Sequence, residues 1–340
     1  MKILVTGGSG FIGSQVVRHA LAANHSVINV DCNSYAAPQG AVTDCEASPR
    51  YMHERVDIRN LEDLNNVFMK YSPDAVMHLA AESHVDRSIF KPAEFIETNV
   101  LGTFNLLQTS LSFYENHGYK SGFRFLHIST DEVFGSLNLG DETKFTESTR
   151  YDPRSPYSAS KASSDHLVRA WYHTYGLPTI VTNCSNNYGP YQFPEKFIPK
   201  IILNGLRQID IPIYGNGANV RDWLHVNDHV EALFSVLELG KAGSTYTIGG
   251  NNECDNLTLA STILEILAED YDHTFEYKSL IKFVDDRKGH DIRYAIDNTK
   301  ITSELFWQPK ISLTEGLSET VGWYLTNQHW WQPILEEHGM

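Results

Sequence analysis

Short, continuous apolar runs alternate along this chain with longer stretches whose apolar residues recur at helical spacing. Ile3–Thr6, Ser26–Val30, Ala75–Leu79, Phe123–Ser129 and Thr179–Asn183 read as buried strands. A further strand precedes Asp57. Between the runs, Ile12–Ala23, Leu61–Tyr71, Glu94–Tyr114 and Tyr157–Tyr175 read as helices. Strands that are apolar throughout, each followed by a helix, predict an α/β fold: a doubly wound parallel sheet covered on both faces. After about residue 185 glycines and prolines gather at Gly189–Pro194 and Gly215–Gly217, and the rhythm loosens. Helices are still expected at Asn227–Leu239, Leu257–Glu269 and Leu313–Thr326. The pattern predicts a first domain over residues 1–185, to which some later segments return. A smaller mixed α/β C-terminal domain is expected over 186–330. Trp330 and Trp331 in the tail are expected to dock onto the body or a partner.

Charge narrows the function classes. The 340 residues carry 27 Lys+Arg against 42 Asp+Glu, a formal net charge of -15. Nucleic-acid surfaces need clustered cations, so a nucleic-acid partner is not expected. No apolar run approaches the roughly 18–20 residues of a membrane span, and the first residues do not read as a signal peptide. Cys32, Cys45, Cys184 and Cys254 are scattered without a C-x-x-C pair, which suits reduced thiols in a cytoplasmic protein.

The first run leads directly into Gly7-Gly8-Ser9-Gly10-Phe11-Ile12-Gly13 and then a helix. Gly7, Gly10 and Gly13 fit G-x-x-G-x-x-G; Gly8, Gly10 and Gly13 fit G-x-G-x-x-G. A Rossmann dinucleotide site asks for glycine at a tight turn, at the backbone's approach to pyrophosphate, and where helix meets strand. The helix N-terminus offers free N–H groups to the phosphates. Asp31 ends the second strand near the expected distance of about 20 residues, where a carboxylate binds ribose hydroxyls and repels a 2′-phosphate. NAD is therefore expected over NADP. Asp57 and Ile58 are placed to meet the adenine.

Tyr157 and Lys161 stand four residues apart on one helical face, an arrangement in which the ammonium would favour a phenolate. Thr130, at a strand's carboxyl end, is followed by two carboxylates, Asp131 and Glu132. Carboxyl groups in unlike environments can divide acid and base roles. His84, His225 and His290 show no metal-ligand spacing such as H-E-x-x-H, and no metal is expected.

These motifs identify a resemblance to the extended short-chain dehydrogenase/reductase superfamily, and within it to the dTDP-glucose 4,6-dehydratase family. It rests on Thr6–Gly13, His78–Ser88, Ser129–Gly135, Ser155–Leu167, Thr182–Lys196, Arg221-Asp222-Trp223 and Asp286–Asp291, spread over nearly the whole chain. The Thr-Asp-Glu triplet discriminates most: relatives that only epimerise lack the acid pair, and decarboxylating relatives differ at the position of Asp131. The resemblance implies a redox-neutral cycle on a nucleotide-diphosphate sugar. Tyr157, tuned by Lys161, takes the O4 proton as C4 hydride passes to NAD, with Thr130 bonding near O4. Glu132 removes the C5 proton, Asp131 protonates the departing C6 hydroxyl, and hydride returns to C6.

By the same resemblance, Phe11, Ile12, Asp31, Asp57, Ile58, Leu79, Ala80, Ala81, Thr98, Tyr157, Lys161 and Asn187 would join the glycines around NAD. Ser83, Thr130, Asn186, Lys196, Phe197, Tyr214, Arg221, Asn256, Arg287 and His290 would meet the nucleotide sugar. The family's usual residues after the acidic position are replaced by Cys32-Asn33-Ser34-Tyr35-Ala36-Ala37, and Lys288 stands where a proline is usual. That extra charge leaves UDP-glucose open as an alternative to dTDP-glucose. A nucleotide-sugar epimerase or decarboxylase is the other alternative. A homodimer is implied, with Glu94–Tyr114 and Tyr157–Tyr175 packing against their copies.

Overall fold

In the computed structural model, which describes residues 1–340 apart from 38, 39, 120, 287 and 288, the apolar runs become the centre of a layered α/β structure. Arg287 and Lys288 lie outside the described residues. Twelve strands occur among the described residues: β1 Lys2–Thr6, β2 Ser26–Val30, β3 Tyr51–Glu54, β4 Ala75–His78, β5 Arg124–Thr130, β6 Thr179–Cys184, β7 Asn186–Tyr188, β8 Ile211–Tyr214, β9 Val220–His225, β10 Thr245–Ile248, β11 Glu253–Asp255 and β12 Ile281–Val284. Seven of them form one parallel sheet in the order β10-β6-β5-β4-β1-β2-β3. The order reverses beside β1, the switch point at whose carboxyl ends open α/β sheets hold ligands.

Side chains alternate between the two faces of the sheet, and both faces are buried. Ile3, Val5, Val27, Met77, Leu126 and Ile180 belong to one core. Leu4, Ile28, Val76, Phe125 and Val181 belong to the other. This is why the strands read as unbroken apolar runs. A third core joins Tyr188 and Trp223 to Leu259, Leu317 and the tail tryptophans.

The helices covering the sheet include α1 Phe11–Ala22, α2 Leu61–Tyr71, α3 Val85–Phe90, α4 Pro92–Phe95, α5 Thr103–Asn116 and α6 Pro156–Tyr175. Helix α6 starts in a capping box of Ser155 and Ser158, with Pro156 in its first turn, and stops at Gly176 in the left-handed conformation. The expected single helix over Glu94–Tyr114 differs in detail. A π-helical segment, Ile96–Gly102, lies between α4 and α5. Gly102 ends it where an added Cβ would stand 2.6 Å from the Ile58 side chain.

Later helices are α7 Phe197–Leu206, α8 Val226–Leu239, α9 Asn256–Asp270, α10 Thr299–Leu305, α11 Leu313–Thr326 and α12 Gln328–His338. Helices α3, α7, α10 and α12 are not apparent in the hydrophobic pattern. Trp330 and Trp331 of α12 are buried, and Trp331 Nε1 donates to Tyr324 O at 2.8 Å. Among the described residues no helix is long and apolar enough to cross a membrane.

Candidate active site

The carboxyl ends of β1, β2, β4, β5 and β6 open onto one cleft of about 560 Å³. The glycine turn forms its floor. Gly7 has φ +72°, and its N–H donates to Val30 O at 2.9 Å. A Cβ on Gly13 would stand 2.0 Å from Gly7 O, so helix and turn approach as only glycine permits. Gly8 is needed as well, because its Cβ would lie 2.3 Å from Asn29 Oδ1. Asp31 accepts from the N–H of Ser9 at 3.0 Å and of Asn33 at 2.8 Å. Burial raises its carboxyl above the ordinary value, and these two bonds work the other way. A bare cradle of main-chain groups beside a held carboxylate fits a dinucleotide with a free ribose diol.

Every residue expected around NAD lines this cleft, as do Thr130, Asp131, Glu132, Tyr157 and Lys161. Of the residues expected at the nucleotide sugar, Ser83, Thr130, Asn186 and Lys196 line it too. Lys196 Nζ donates to Ser83 O at 3.2 Å.

The acid pair has unequal surroundings. Asp131 is buried, and burial, reinforced by Glu132 and Asp222, raises its carboxyl well above the ordinary range against the pull of Arg221. That direction favours the protonated acid. Glu132, half-buried, lines the cleft beside it. Thr130 Oγ1 accepts from Glu132 N–H at 3.3 Å and donates to Asp131 Oδ1 at 3.3 Å, which ties the triplet together.

In the protein alone, burial, then Glu132, Cys184 and Asp131, raise the Tyr157 phenol above its ordinary value, and a bond with Thr130 works the other way. Lys161 Nζ is directed to Ile128 O at 2.8 Å. The expected sugar set divides in its placement, since Phe197, Tyr214, Arg221, Asn256 and His290 lie outside the lining of this cleft. Arg221 is buried, with its guanidinium donating to Val220 O at 2.8 Å and Asp291 O at 2.9 Å and lying 4.2 Å over the Tyr294 ring. Tyr214 meets His290 edge-on at 6.0 Å, and His290 Nδ1 stands 2.7 Å from Asp286 Oδ1. Phe197 stacks on Trp223, and Asn256 opens α9, its N–H donating to Asn219 O.

Among the residues not assigned to the site from sequence, two bear on its geometry. Cys184 lines the cleft and pairs in register with Thr130, one residue beyond the expected strand end. Extending that strand by one position would have found it. Asn99, within the π segment, donates to Glu82 O at 2.9 Å and Ser160 Oγ at 2.8 Å and accepts from Glu82 N–H at 2.8 Å. It ties the wall of the cleft to the helix carrying Tyr157. π turns are frequent at functional sites, but the hydrophobic pattern runs through this one without a break.

Comparison with known proteins agrees with this geometry. The family model for GDP-mannose 4,6 dehydratase matches residues 4–320. A dTDP-glucose 4,6-dehydratase of Escherichia coli is 53% identical, over 99% of this chain and 97% of the relative. The solved structure of DesIV, a dTDP-glucose 4,6-dehydratase from Streptomyces venezuelae with NAD and dTDP bound, superposes with a TM-score of 0.90 at 44% identity, covering 98% of this chain and 100% of that one. The dTDP-glucose 4,6-dehydratase from Bacillus anthracis in complex with NAD gives a TM-score of 0.87 at 42% identity, covering 98% and 99%. With its dinucleotide cradle, its Tyr-Lys pair and its unequal acid pair, the chain belongs to the GDP-mannose 4,6 dehydratase family and, within it, among the dTDP-glucose 4,6-dehydratases.

Proposed function

We propose that this protein is an NAD-dependent hydro-lyase that converts dTDP-glucose to dTDP-4-keto-6-deoxyglucose and water. The observation that carries the reading is the buried Asp131 beside Glu132 on one cleft with Tyr157 and the glycine cradle, its burial favouring the protonated acid. An epimerase has no use for that pair. Bound NAD supplies a hydride acceptor for C4, a hydride donor for C6 and, when oxidised, a positive charge near the phenol.

The glycine turn and the first turn of α1 bind the pyrophosphate through main-chain N–H groups. Asp31 takes the ribose hydroxyls and excludes a 2′-phosphate. Tyr157 Oη accepts the O4 proton, and Thr130 Oγ1 orients that oxygen. Oxidation at C4 acidifies C5–H, which Glu132 removes. Asp131 hands its proton to the C6 oxygen, and water departs; as C6 is then reduced, Glu132 returns its proton to C5. Lys196 and Ser83 stand on the sugar side of the cleft, and Phe197, Tyr214, Arg221, Asn256 and His290 are assigned to the nucleotide half.

Residues 1–185 with the returning strand β10 form the cofactor domain in this reading, and residues 186–330 the nucleotide-sugar domain. A homodimer follows from the apolar side chains left exposed along α3 to α6: Phe90 at 83%, Ile96 at 50%, Leu101 at 48% and Tyr175 at 48%. Four unpaired cysteines suit the cytoplasm.

The test is incubation of the purified protein with dTDP-glucose and no added reductant. Loss of one water by mass spectrometry, with the alkali-induced absorbance of a 4-keto sugar, is expected. Recovery of unchanged sugar, or of a C4 epimer, would overturn the reading. UDP-glucose in parallel measures nucleotide preference.

A further inference from the structure

We propose that Asp165 is a positioning residue of the reaction: its buried carboxylate is the countercharge of Lys161 and, through Asn183, fixes the strand end that carries Thr130, Asp131 and Glu132. The inference rests on the dehydratase reading and deepens it. Asp165 lies one helical turn beyond Lys161 on α6, two beyond Tyr157, and its side chain is wholly buried. An anion sealed from water persists only when several partners hold it. Asp165 has them from three directions. Tyr151 Oη donates to Oδ2 at 2.8 Å and is itself bonded by Arg169 at 2.8 Å. Asn183 Nδ2 donates to the same oxygen at 3.0 Å and to Thr130 O at 3.1 Å. His127 Nε2 faces Oδ1 at 3.1 Å. Asn183 is thus a single amide bridging the α6 carboxylate and the main chain of the Thr-Asp-Glu triplet.

The charge pattern agrees. Despite its burial, the Asp165 carboxyl is held below its ordinary value, with His127 and Lys161 both favouring the anion. Burial lowers Lys161, and Asp165 and Cys184 oppose that fall. His127 is pushed down to about 4 by burial and Lys161, so it is neutral near pH 7 and cannot be the countercharge. The groups facing this pair are His78 from β4, His127 from β5, Cys184 from β6, and Tyr151 with Arg169 from the other side. His78, buried and lowered, is neutral too. Asp165, one turn along the same face of α6, is therefore the carboxylate that supports the Lys161 ammonium.

The experiment compares wild-type holoenzyme with Asp165→Asn in dTDP-glucose turnover across pH. For the variant, kcat is expected to fall at least about tenfold. KM for the sugar nucleotide should hold, because the residue does not line the cleft. Without the anion Lys161 loses its proton at lower pH, so the alkaline limb of the kcat profile should move to lower pH. A merely structural role would lower Tm and leave that limb in place, and this outcome overturns the proposal, as does wild-type kcat. Should Asp165→Asn fail to fold, Tyr151→Phe decides. It deletes one hydrogen bond to the carboxylate and keeps the charge, and about a threefold loss of kcat at constant KM is expected. Unchanged kcat there overturns the hub. A wild-type enzyme inert toward dTDP-glucose would instead remove the dehydratase reading itself.

Discussion

Glu132 and Asp131 are adjacent carboxylic acids, yet the fold treats them differently. Both line the cleft, but Asp131 is buried while Glu132 is half-buried, and burial, Glu132 and Asp222 raise the Asp131 carboxyl. If Glu132 is the C5 base, Glu132→Gln should bind NAD and accumulate its reduced form on adding substrate, seen as nicotinamide absorbance, while releasing no water. Solvent deuterium should enter C5 in the wild type and not in the variant; normal turnover by the variant would remove Glu132 from the mechanism. Asp131 carries a stability cost that can be measured separately. Its folded carboxyl is raised above the unfolded value near 3.8, so the proton is bound more tightly in the folded protein. Stability from this group is full at pH below the ordinary carboxylate value. It declines as pH rises through that value toward the raised one. Asp131→Asn cannot ionise. Its melting temperature should therefore exceed the wild type's by a margin that widens as pH is raised from about 4 toward 7. Its kcat should drop by about 100-fold or more. A constant or shrinking margin would mean that Asp131 is not held neutral.

At the scale of elements, the glycine turn and α1 are the least negotiable contact. In Gly13→Ala the new methyl meets Gly7 O at 2.0 Å and Gly8 Cα at 2.8 Å, so the turn must open where phosphate would sit. NAD affinity, measured by titration calorimetry, should weaken at least about tenfold while the chain still folds; unaltered affinity would move the pyrophosphate away from this turn. Elements with one strong local signal were legible before the structure. Strands β1, β2, β4, β5 and β6 were visible because burial on both faces makes them continuously apolar. Helix α2 appears with the bounds its periodicity predicts. What stayed hidden has physical causes. Helix α12 carries Pro333 and a Trp pair that interrupt helical spacing. Strands β7 and β11 have three residues each, too few for any period. The glycine turn and the acids at the strand ends were readable because glycine and strand-end rules are local. The proposed nucleotide half would draw Tyr214, Arg221, Asn256 and His290 from β8, β9, α9 and the segment after β12. Their juxtaposition depends on tertiary packing, and so does the capture of Arg221 by the carbonyl of Asp291, 70 residues away.

The whole molecule has an asymmetry that its net charge conceals. A chain of net charge -15 binds two diphosphates in the proposed function, and it does so with main-chain N–H groups and a few enclosed cations such as Lys196 rather than a basic surface. The other large-scale feature is apolar. Ile89, Phe90, Ile96, Leu101 and Phe104 are exposed along α3 to α5, and Tyr175 at the end of α6. These helices also carry Thr98, Tyr157 and Lys161, so a face that buried them would brace the cleft from behind. Pairing two such faces gives an antiparallel helical bundle, whose interface must bury about 1,200–2,000 Å² to be stable. Light scattering on the wild-type protein at micromolar concentration should then report twice the chain mass of 38.4 kDa. Leu101→Asp combined with Phe104→Asp places two charges in that interface and should yield a species of 38.4 kDa. Because the helices holding the catalytic face lose their support, the variant should also show a lower Tm and reduced kcat, recovered in part at high protein concentration if some association survives. A wild-type protein that stays at the single-chain mass would refute the dimer, and the exposed face of α3 to α5 would then need a different occupant.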